Sequence, residues 1–167
     1  RQEQIFRTRY GVEIPRQTLS RWVGLVSDWL RLIYHEIRTG VLADGYVQID
    51  ETPIEYLDPG RGRTGSGWLW ACMRPGGDVF FQWQTSRGAK CLDTVLPKDF
   101  KGIVQTDGYA AYKAYASMHP SRLRLVGCWA HVRRKFVEAL QSSKRQAAWM
   151  LRQIQGLYAI EARLREH

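Results

Sequence analysis

Two aspartates each follow a short strand-like run, and their carboxylates are the side chains in this sequence best suited to chemistry. Asp50 closes the run at residues 46–49 and Asp107 closes the run at residues 102–106; both runs mix β-branched and polar residues as strands do. If the two strands are parallel neighbours, the carboxylates converge, and converging carboxylates repel unless a proton or a metal ion lies between them. Hard cations such as Mg²⁺ prefer oxygen ligands of this kind. The pair therefore predicts a divalent-metal site.

The same two aspartates have a plainer interpretation as cap or turn residues at strand ends, and from the residues alone this interpretation is favoured. Neighbouring acids do not strengthen the metal site. Glu51 follows Asp50 directly, so alternation along an extended strand points it to the opposite side. Glu138 and Glu161 fall on predicted amphipathic helices, where a glutamate is usually only solvated.

Length and composition predict a folded protein with one core and room for a smaller appendage, since the chain has 167 residues and 44% hydrophobic content. It contains no run approaching the roughly 20 apolar residues that cross a bilayer, so we expect no membrane partner. The first residues show neither a secretory signal nor an initiating methionine, and we expect a fragment or a processed piece. Three cysteines without a Cys-x-x-Cys pair favour a reducing, cytoplasmic setting.

Positive charge is concentrated in one window. The chain carries a net charge of +9 and a pI near 9.8. The window of residues 121 to 145 contains one acidic residue and seven basic residues, which are Arg122, Arg124, Arg133, Arg134, Lys135, Lys144 and Arg145. Clustered Lys and Arg bind phosphates with release of counterions, so DNA is the leading partner.

The region before residue 45 is predicted to be helical. Apolar residues recur at three- and four-residue spacing from Leu19 to Ile37, and Gly40 is expected to end the helix. The run at 10–15 indicates a turn entering this helix, as in a helix-turn-helix. An apolar stripe at this spacing more often serves packing than base reading, and we favour packing. Residues 1–44 are thus predicted to be a helical segment, for which the end of a helix-turn-helix plus a linker helix stays open as an alternative.

From residue 45 the pattern changes to short strands alternating with helices. Strands are predicted at 46–50, 67–73, 79–85, 103–107 and 123–128, and helices at 89–96, 109–116 and 132–141. The turn at 75–78 joins the second and third strands as a hairpin, whereas the later strands are joined through helices. The fold class is therefore α/β, a mixed five-stranded sheet flanked by helices and preceded by an N-terminal helix. We assign residues 45–140 to this core.

This order of elements resembles the ribonuclease-H-like fold of retroviral-integrase-type nucleases and transposases. Five sequence blocks sharpen the resemblance, in one order along the chain: IDETP at 49–53, LDPGRGR at 57–63, GWLW at 67–70, QTDGYAAY at 105–112 and CWAHVRRKF at 128–136. Together they are similar to the catalytic domain of bacterial transposases of insertion sequence family 66, over roughly residues 16 to 165.

The resemblance implies a DDE transposase, which cleaves and joins DNA strands by phosphoryl transfer. In that chemistry two Asp and one Glu hold two Mg²⁺ or Mn²⁺ ions, and Asp50 and Asp107 match the first two acids. The third acid belongs to an Asn-Asn-x-x-Glu-Arg stretch after a long helical insertion, and no such stretch occurs in this sequence. Residues 141–167 are accordingly interpreted as the start of that insertion, and the fragment itself is expected to be inactive.

His131 is the third residue that the resemblance implicates in catalysis. It forms a Cys-x-x-His pair with Cys128, and a similar element follows the second acid in several DDE transposases. Zinc is not expected there, because a structural zinc site needs four ligands and no second pair exists. We expect His131 to support the geometry of the site or to contact a phosphate.

Five basic residues are candidate DNA contacts: Arg61 and Arg63 in a glycine-rich loop, and Arg133, Arg134 and Lys135 on the last predicted helix of the core. Consecutive helical residues are about 100° apart, so at least one of the three on the helix must point away from any single ligand. The alternative for all five is a solvated surface.

The resemblance implies transposon ends and target DNA as partners, a homo-oligomer on DNA, and accessory transposition proteins. The setting would be the bacterial cytoplasm, associated with the nucleoid. Two alternatives stay open. One is a ribonuclease-H-like nuclease acting on RNA-containing duplexes. The other is a fragment that binds DNA without catalysis, which the missing third acid favours.

Overall fold

The computed structural model describes residues 1–58, 60 and 62–165, and it divides into two compact units, Arg1–Gly40 and Val41–His167. The first unit contains α1 (Gln2–Tyr10) and most of α2 (Arg16–Leu42). Gly11 ends α1 with a φ of 64°, a left-handed conformation that glycine adopts without a Cβ penalty. Helix α1 falls within the region predicted to be helical, but the apolar spacing did not mark its bounds, and it buries none of its residues.

Helix α2 departs from two expectations. It continues through Gly40 to Leu42, and a Cβ at Gly40 would have nothing within 4 Å, so no close contact requires glycine or a break there. The apolar stripe of α2 is largely exposed in the described chain, so the packing predicted for it is not made there. Val41 is the single buried residue of α2 there, and the predicted stripe residue Trp29 is 73% exposed.

The second unit is built on a five-stranded mixed sheet, as the sequence predicts. The strands are β1 (Tyr46–Leu57), β2 (Thr64–Met73), β3 (Val79–Gln84), β4 (Gly102–Thr106) and β5 (Leu123–Gly127), in the order β3-β2-β1-β4-β5. Strand β2 runs antiparallel to β1 and β3, while β4 pairs parallel with both β1 and β5. The carboxyl ends of β1, β3, β4 and β5 therefore point toward one edge of the sheet.

Helices join and follow the later strands. A 3₁₀ turn at Ala89–Cys91 runs into the short helix α3 (Leu92–Val95), and α4 (Ala110–Met118) connects β4 to β5. After β5 come α5 (Trp129–Glu138), a 3₁₀ turn at Ala139–Gln141 and α6 (Lys144–Arg165). No helix among the residues that the structure describes is long and apolar enough to cross a membrane.

The prediction that Asp50 ends β1 is wrong. The strand continues for seven residues to Leu57, paired with β2 throughout, whereas its pairing with β4 ends at Gln48. The continuation contains Pro53, which interrupts a strand pattern in sequence. Pro53 is tolerated because this half of β1 has no partner on the β4 side, and proline is accepted on edge strands.

The core lies against the face of the sheet that carries Val47, Ile49 and Trp70, all at most 3% exposed. Tyr112 of α4 packs edge-on against Trp70, with ring centroids 6.0 Å apart. The connections from β3 to β4 and from β4 to β5 cross the sheet in the same direction. Because such crossovers are right-handed as a rule, we expect α3 and α4 to cover this same face. The result is a mixed α/β architecture consistent with the ribonuclease-H-like fold.

Candidate functional site

Parallel pairing brings Asp50 and Asp107 to the same level of the sheet. Tyr46 pairs with Ile103 and Gln48 with Gln105, so the same register continued by two residues sets Asp107 beside Asp50. Asp107 directly follows β4. Both aspartates line a groove of about 550 Å³, here called the carboxyl-edge groove. Its lining residues are Asp50, Glu51, Thr52, Pro53, Arg87, Asp107, His131, Val132, Arg134, Lys135 and Glu138.

Asp50 presents its carboxylate to this groove with a side chain that is 59% exposed. One oxygen, Oδ1, accepts a hydrogen bond from the backbone N–H of Glu51 at 3.0 Å. The other, Oδ2, lies 3.9 Å from Nε2 of His131. Asp50 is thus accessible to a ligand entering the groove from solvent.

Asp107 is more enclosed, with a side chain 22% exposed, and both of its oxygens accept hydrogen bonds. Oδ1 accepts from the backbone N–H of Tyr109 at 2.8 Å, and Oδ2 accepts from Nη2 of Arg87 at 3.2 Å. Gly108 between them has a φ of +86°, a conformation that L side chains rarely adopt. The turn after β4 therefore orients the Asp107 carboxylate from the backbone side.

Arg87 is a component of the site that the sequence analysis missed. It lies in the loop between β3 and the 3₁₀ turn, and its Nε donates to Oε1 of Glu51 at 2.5 Å. Its guanidinium lies 3.8 Å from the ring centroid of Tyr109 and 5.0 Å from that of Trp68. Burial alone lowers the pKa of Arg87, but the hydrogen bond to Glu51 and the charges of Glu51 and Asp107 raise it above its ordinary value. Arg87 is a permanent cation beside Asp107.

Glu51 lies on the opposite face from Asp50, as strand alternation predicts, and its side chain is fully buried. Oε1 accepts from Arg87, and Oε2 accepts from the hydroxyl of Tyr112, which is 1% exposed. Burial, this hydrogen bond and the nearby negative charges raise the pKa of Tyr112 far above its ordinary value. Tyr112 therefore remains a protonated donor, and Glu51 has partners on both oxygens.

His131 lies in the first turn of α5, directly after β5, and its side chain is 29% exposed. Its Nε2 faces Asp50, while Nδ1 is buried and has no hydrogen-bond partner among the residues that the structure describes. The loop after β5 reaches the same sheet edge as the loops after β3 and β4. This shared edge is the signal that could have identified Arg87, because ligand sites in open α/β sheets lie at the carboxyl ends of strands.

Two of the five candidate DNA contacts line the carboxyl-edge groove in the structure. Arg134 and Lys135 line the carboxyl-edge groove, and Lys135 also pairs with Glu138 at 2.9 Å. Arg133 is exposed but is not among the groove's lining residues. Arg63 lies just before β2, in the loop at the end of β1, so it stands roughly 20 Å from Asp50 at about 3.3 Å per residue. Arg61 lies outside the described residues.

The donor set suits a hard divalent cation only in part. Asp50 and Asp107 supply oxygen ligands at the edge of an open groove, which Mg²⁺ and Mn²⁺ accept. Across residues 1–58, 60 and 62–165 there is no cluster of three or more His, Cys, Asp or Glu side chains placed to hold a metal ion. Glu138 reaches the groove wall but is paired with Lys135. The described residues thus bring two carboxylates, Asp50 and Asp107, to one groove, fewer than the three or more side chains of a metal-binding cluster.

Comparisons with known proteins find relatives over the whole chain. Residues 1–167 match the protein family described as "Transposase IS66 family". Two proteins of Sinorhizobium fredii, named "Uncharacterized protein y4qI" and "Uncharacterized protein y4jD", are 38% identical over 161 residues and 35% identical over 178 residues. The alignments cover 89% and 99% of this chain but 30% and 34% of the relatives. The chain therefore spans about a third of the length of these curated relatives.

Proposed function

Since the chain belongs to the IS66 family of transposases, we propose that it supplies two acids, Asp50 and Asp107, to a centre that cleaves and joins DNA strands during transposition. The observation that carries this proposal is that Asp50 and Asp107 line one groove, at the end of the parallel pairing between β1 and β4. Divalent ions held by such carboxylates would activate the attacking oxygen and stabilise the leaving oxygen of an in-line displacement.

The positions of Asp50, Asp107 and His131 support a separate role for each of them. Asp50, exposed and accessible, and Asp107, oriented by Tyr109 and Arg87, would bind Mg²⁺ or Mn²⁺. His131 would hold Asp50 or contact a phosphate, because its Nε2 points at the carboxylate from across the groove. These assignments make the groove the path of the reacting strand.

Basic residues on α5 would bind the DNA backbone. Arg134 and Lys135 line the groove from the helix that carries His131, and both cations suit phosphate contact. Arg133 and Arg63 lie elsewhere, so any DNA contact they make is to a different part of the duplex. We propose transposon ends and target DNA as substrates, bound by a homo-oligomer with accessory proteins in the bacterial nucleoid.

The third acid is assigned to the complete protein. The Asn-Asn-x-x-Glu-Arg stretch is absent from the sequence, and the relatives are about three times as long as the part that aligns. We propose that a longer protein brings this glutamate to the carboxyl-edge groove, and that α6 leads into the helical insertion before it. Residues 1–44 would then form a helical segment preceding the core of residues 45–140.

Calorimetry of Mn²⁺ binding tests the carboxylate pair directly. The wild-type chain is compared with Asp50→Ala, Asp107→Ala and the control Asp78→Ala, whose exposed carboxylate lies in the turn between β2 and β3. Binding that is lost in the first two variants and kept in the third supports one shared site. Binding that is indifferent to both changes overturns the pairing.

Strand cleavage by the complete protein tests the function. Asp50→Asn and Asp107→Asn should each lower cleavage of transposon-end DNA by about 100-fold or more, since metal ions supply several kcal/mol of charge stabilisation. Asp78→Asn should retain activity. Cleavage of an RNA–DNA hybrid but not of transposon ends would instead indicate a ribonuclease-H-like nuclease. Salt-sensitive DNA binding without any cleavage would indicate a non-catalytic role.

A further inference from the structure

Arg87 is held from three directions at once. Below it, the fully buried Glu51 accepts from Nε at 2.5 Å. Beside it, the rings of Tyr109 and Trp68 face the guanidinium at 3.8 and 5.0 Å. Because a buried carboxylate and two aromatic rings fix the planar fork, the remaining direction, toward Asp107, is also fixed.

That remaining direction ends on the one oxygen of Asp107 that the backbone does not orient. Tyr109 N–H holds Oδ1 at 2.8 Å, and Arg87 Nη2 holds Oδ2 at 3.2 Å. Two donors on two oxygens determine the plane of the carboxylate as well as its direction. Tyr109 takes part in both constraints, since its N–H binds Asp107 and its ring packs on Arg87.

We propose that Arg87 is a positioning residue that fixes the Asp107 carboxylate in the orientation that binds the divalent cation, with Glu51 as its buried anchor. The inference rests on the proposed function of Asp107 as a metal ligand. Partners that orient a metal-binding carboxylate matter because a ligand free to rotate loses entropy when it binds, and removing such partners typically lowers metal affinity by about 10- to 100-fold.

A simple core ion pair would not require this arrangement. Glu51 alone balances the charge of Arg87, and the contact with Asp107 reaches out of the core to a side chain that is 22% exposed. A lysine could supply the charge but not two N–H groups in a rigid plane aimed at two different carboxylates. Arg87 therefore contacts Asp107 at the groove in addition to forming the buried ion pair with Glu51.

The test uses a double variant that removes the pair without leaving a buried charge, Arg87→Gln with Glu51→Gln. The control is Arg122→Gln, which also removes a guanidinium with two hydrogen bonds, here to the backbone carbonyls of Pro97 and Phe100 near the other end of the strands. Two quantities are measured: the Mn²⁺ affinity by calorimetry, and the hydrogen-exchange protection of the Tyr109 amide, which reports the orientation of Asp107 without metal.

We expect the double variant to lower the Mn²⁺ affinity by about 10-fold or more and the Tyr109 protection by about 10-fold. Arg122→Gln should change neither. An unchanged affinity in the double variant, with binding still dependent on Asp50 and Asp107, would overturn the positioning role and leave the proposed function intact.

A wild-type chain that binds no Mn²⁺ would overturn the metal site in this chain, and the Tyr109 protection would then decide by itself whether Arg87 orients Asp107. Arg87→Lys keeps the positive charge but removes the planar guanidinium, so it tests whether the charge alone is sufficient. Retention of full Tyr109 protection in that variant would show that a positive charge suffices, and the role assigned to the planar fork would be wrong.

Discussion

Arg87→Gln should destabilise the protein more than its partly exposed position suggests. The substitution leaves Glu51 with a fully buried side chain and no cationic partner at Oε1, while Tyr112 still donates to Oε2. Removing one member of a buried ion pair costs about 3–5 kcal/mol. Because the Arg87 side chain is 26% exposed, solvent already weakens the pair, and we expect about 2–3 kcal/mol.

The decisive quantity is the coupling between the two residues. Glu51→Gln added to Arg87→Gln removes the stranded charge and keeps an acceptor for Tyr112, so the double variant should lose only about 1 kcal/mol relative to wild type. The free energy of unfolding is measured by urea denaturation followed by circular dichroism, with Arg122→Gln as control. A loss under 1 kcal/mol in the single variant, or a double variant as unstable as the sum of both singles, would refute a buried pair at this position.

Three further predictions concern pH, packing and DNA binding. The pKa of Tyr112 in the folded protein lies above the unfolded value of about 10, so the stability that its protonation contributes is complete below pH 10 and is lost as the pH rises further. Tyr112→Phe should therefore flatten the decline in unfolding free energy between about pH 10 and 11 by up to about 1.4 kcal/mol per pH unit. Urea titrations at several pH values measure this slope, and an unchanged slope would contradict the prediction. Gly102→Ala should lower the free energy of unfolding, measured by thermal denaturation, by about 1–3 kcal/mol or more, because its Cβ would lie 2.0 Å from a backbone oxygen. The control Gly127→Ala would place a Cβ with nothing within 4 Å and should destabilise the protein less. Equal losses in the two variants would contradict the clash. Arg134→Ala should reduce the salt dependence of DNA binding by about one phosphate contact, measured by fluorescence anisotropy at several salt concentrations. An unchanged salt dependence in this variant would mean that the groove is not the DNA path.

The sheet could be predicted because its strands alternate in sequence and its turns carry glycine or proline. The hairpin turn at 75–78 and the helical crossovers around β4 predicted the order of elements along the chain. The parallel pairing of β1 and β4 was only a condition for the two carboxylates to converge, and its register is given by the structure. What could not be predicted was where a strand stops. Pro53 reads as a break, yet β1 passes through it because only one side of the strand is paired there.

The acids of the candidate site were evident in sequence, but their partners were not. Arg87 lies 20 residues before Asp107 and 36 after Glu51, and only the sheet order brings the three together. Arg134 and Arg133 are equivalent in sequence and differ solely in the direction that α5 gives them. Local patterns identify residues that can do chemistry, whereas long-range contacts determine which of them meet.

The two walls of the groove, the sheet and α5, differ in how many buried residues support them. Asp50 lies in β1 and Asp107 directly follows β4, and core-facing residues of these central strands, such as Val47 and Val104, are at most 1% exposed. Helix α5, by contrast, contains no buried residue. Local opening starts where few apolar contacts are lost, so we expect α5 to open more readily than the sheet. The spacing of the carboxylates would then stay constant while the groove changes width. If the groove binds DNA as proposed, we expect a duplex to enter past His131 and Arg134 without disturbing the acids.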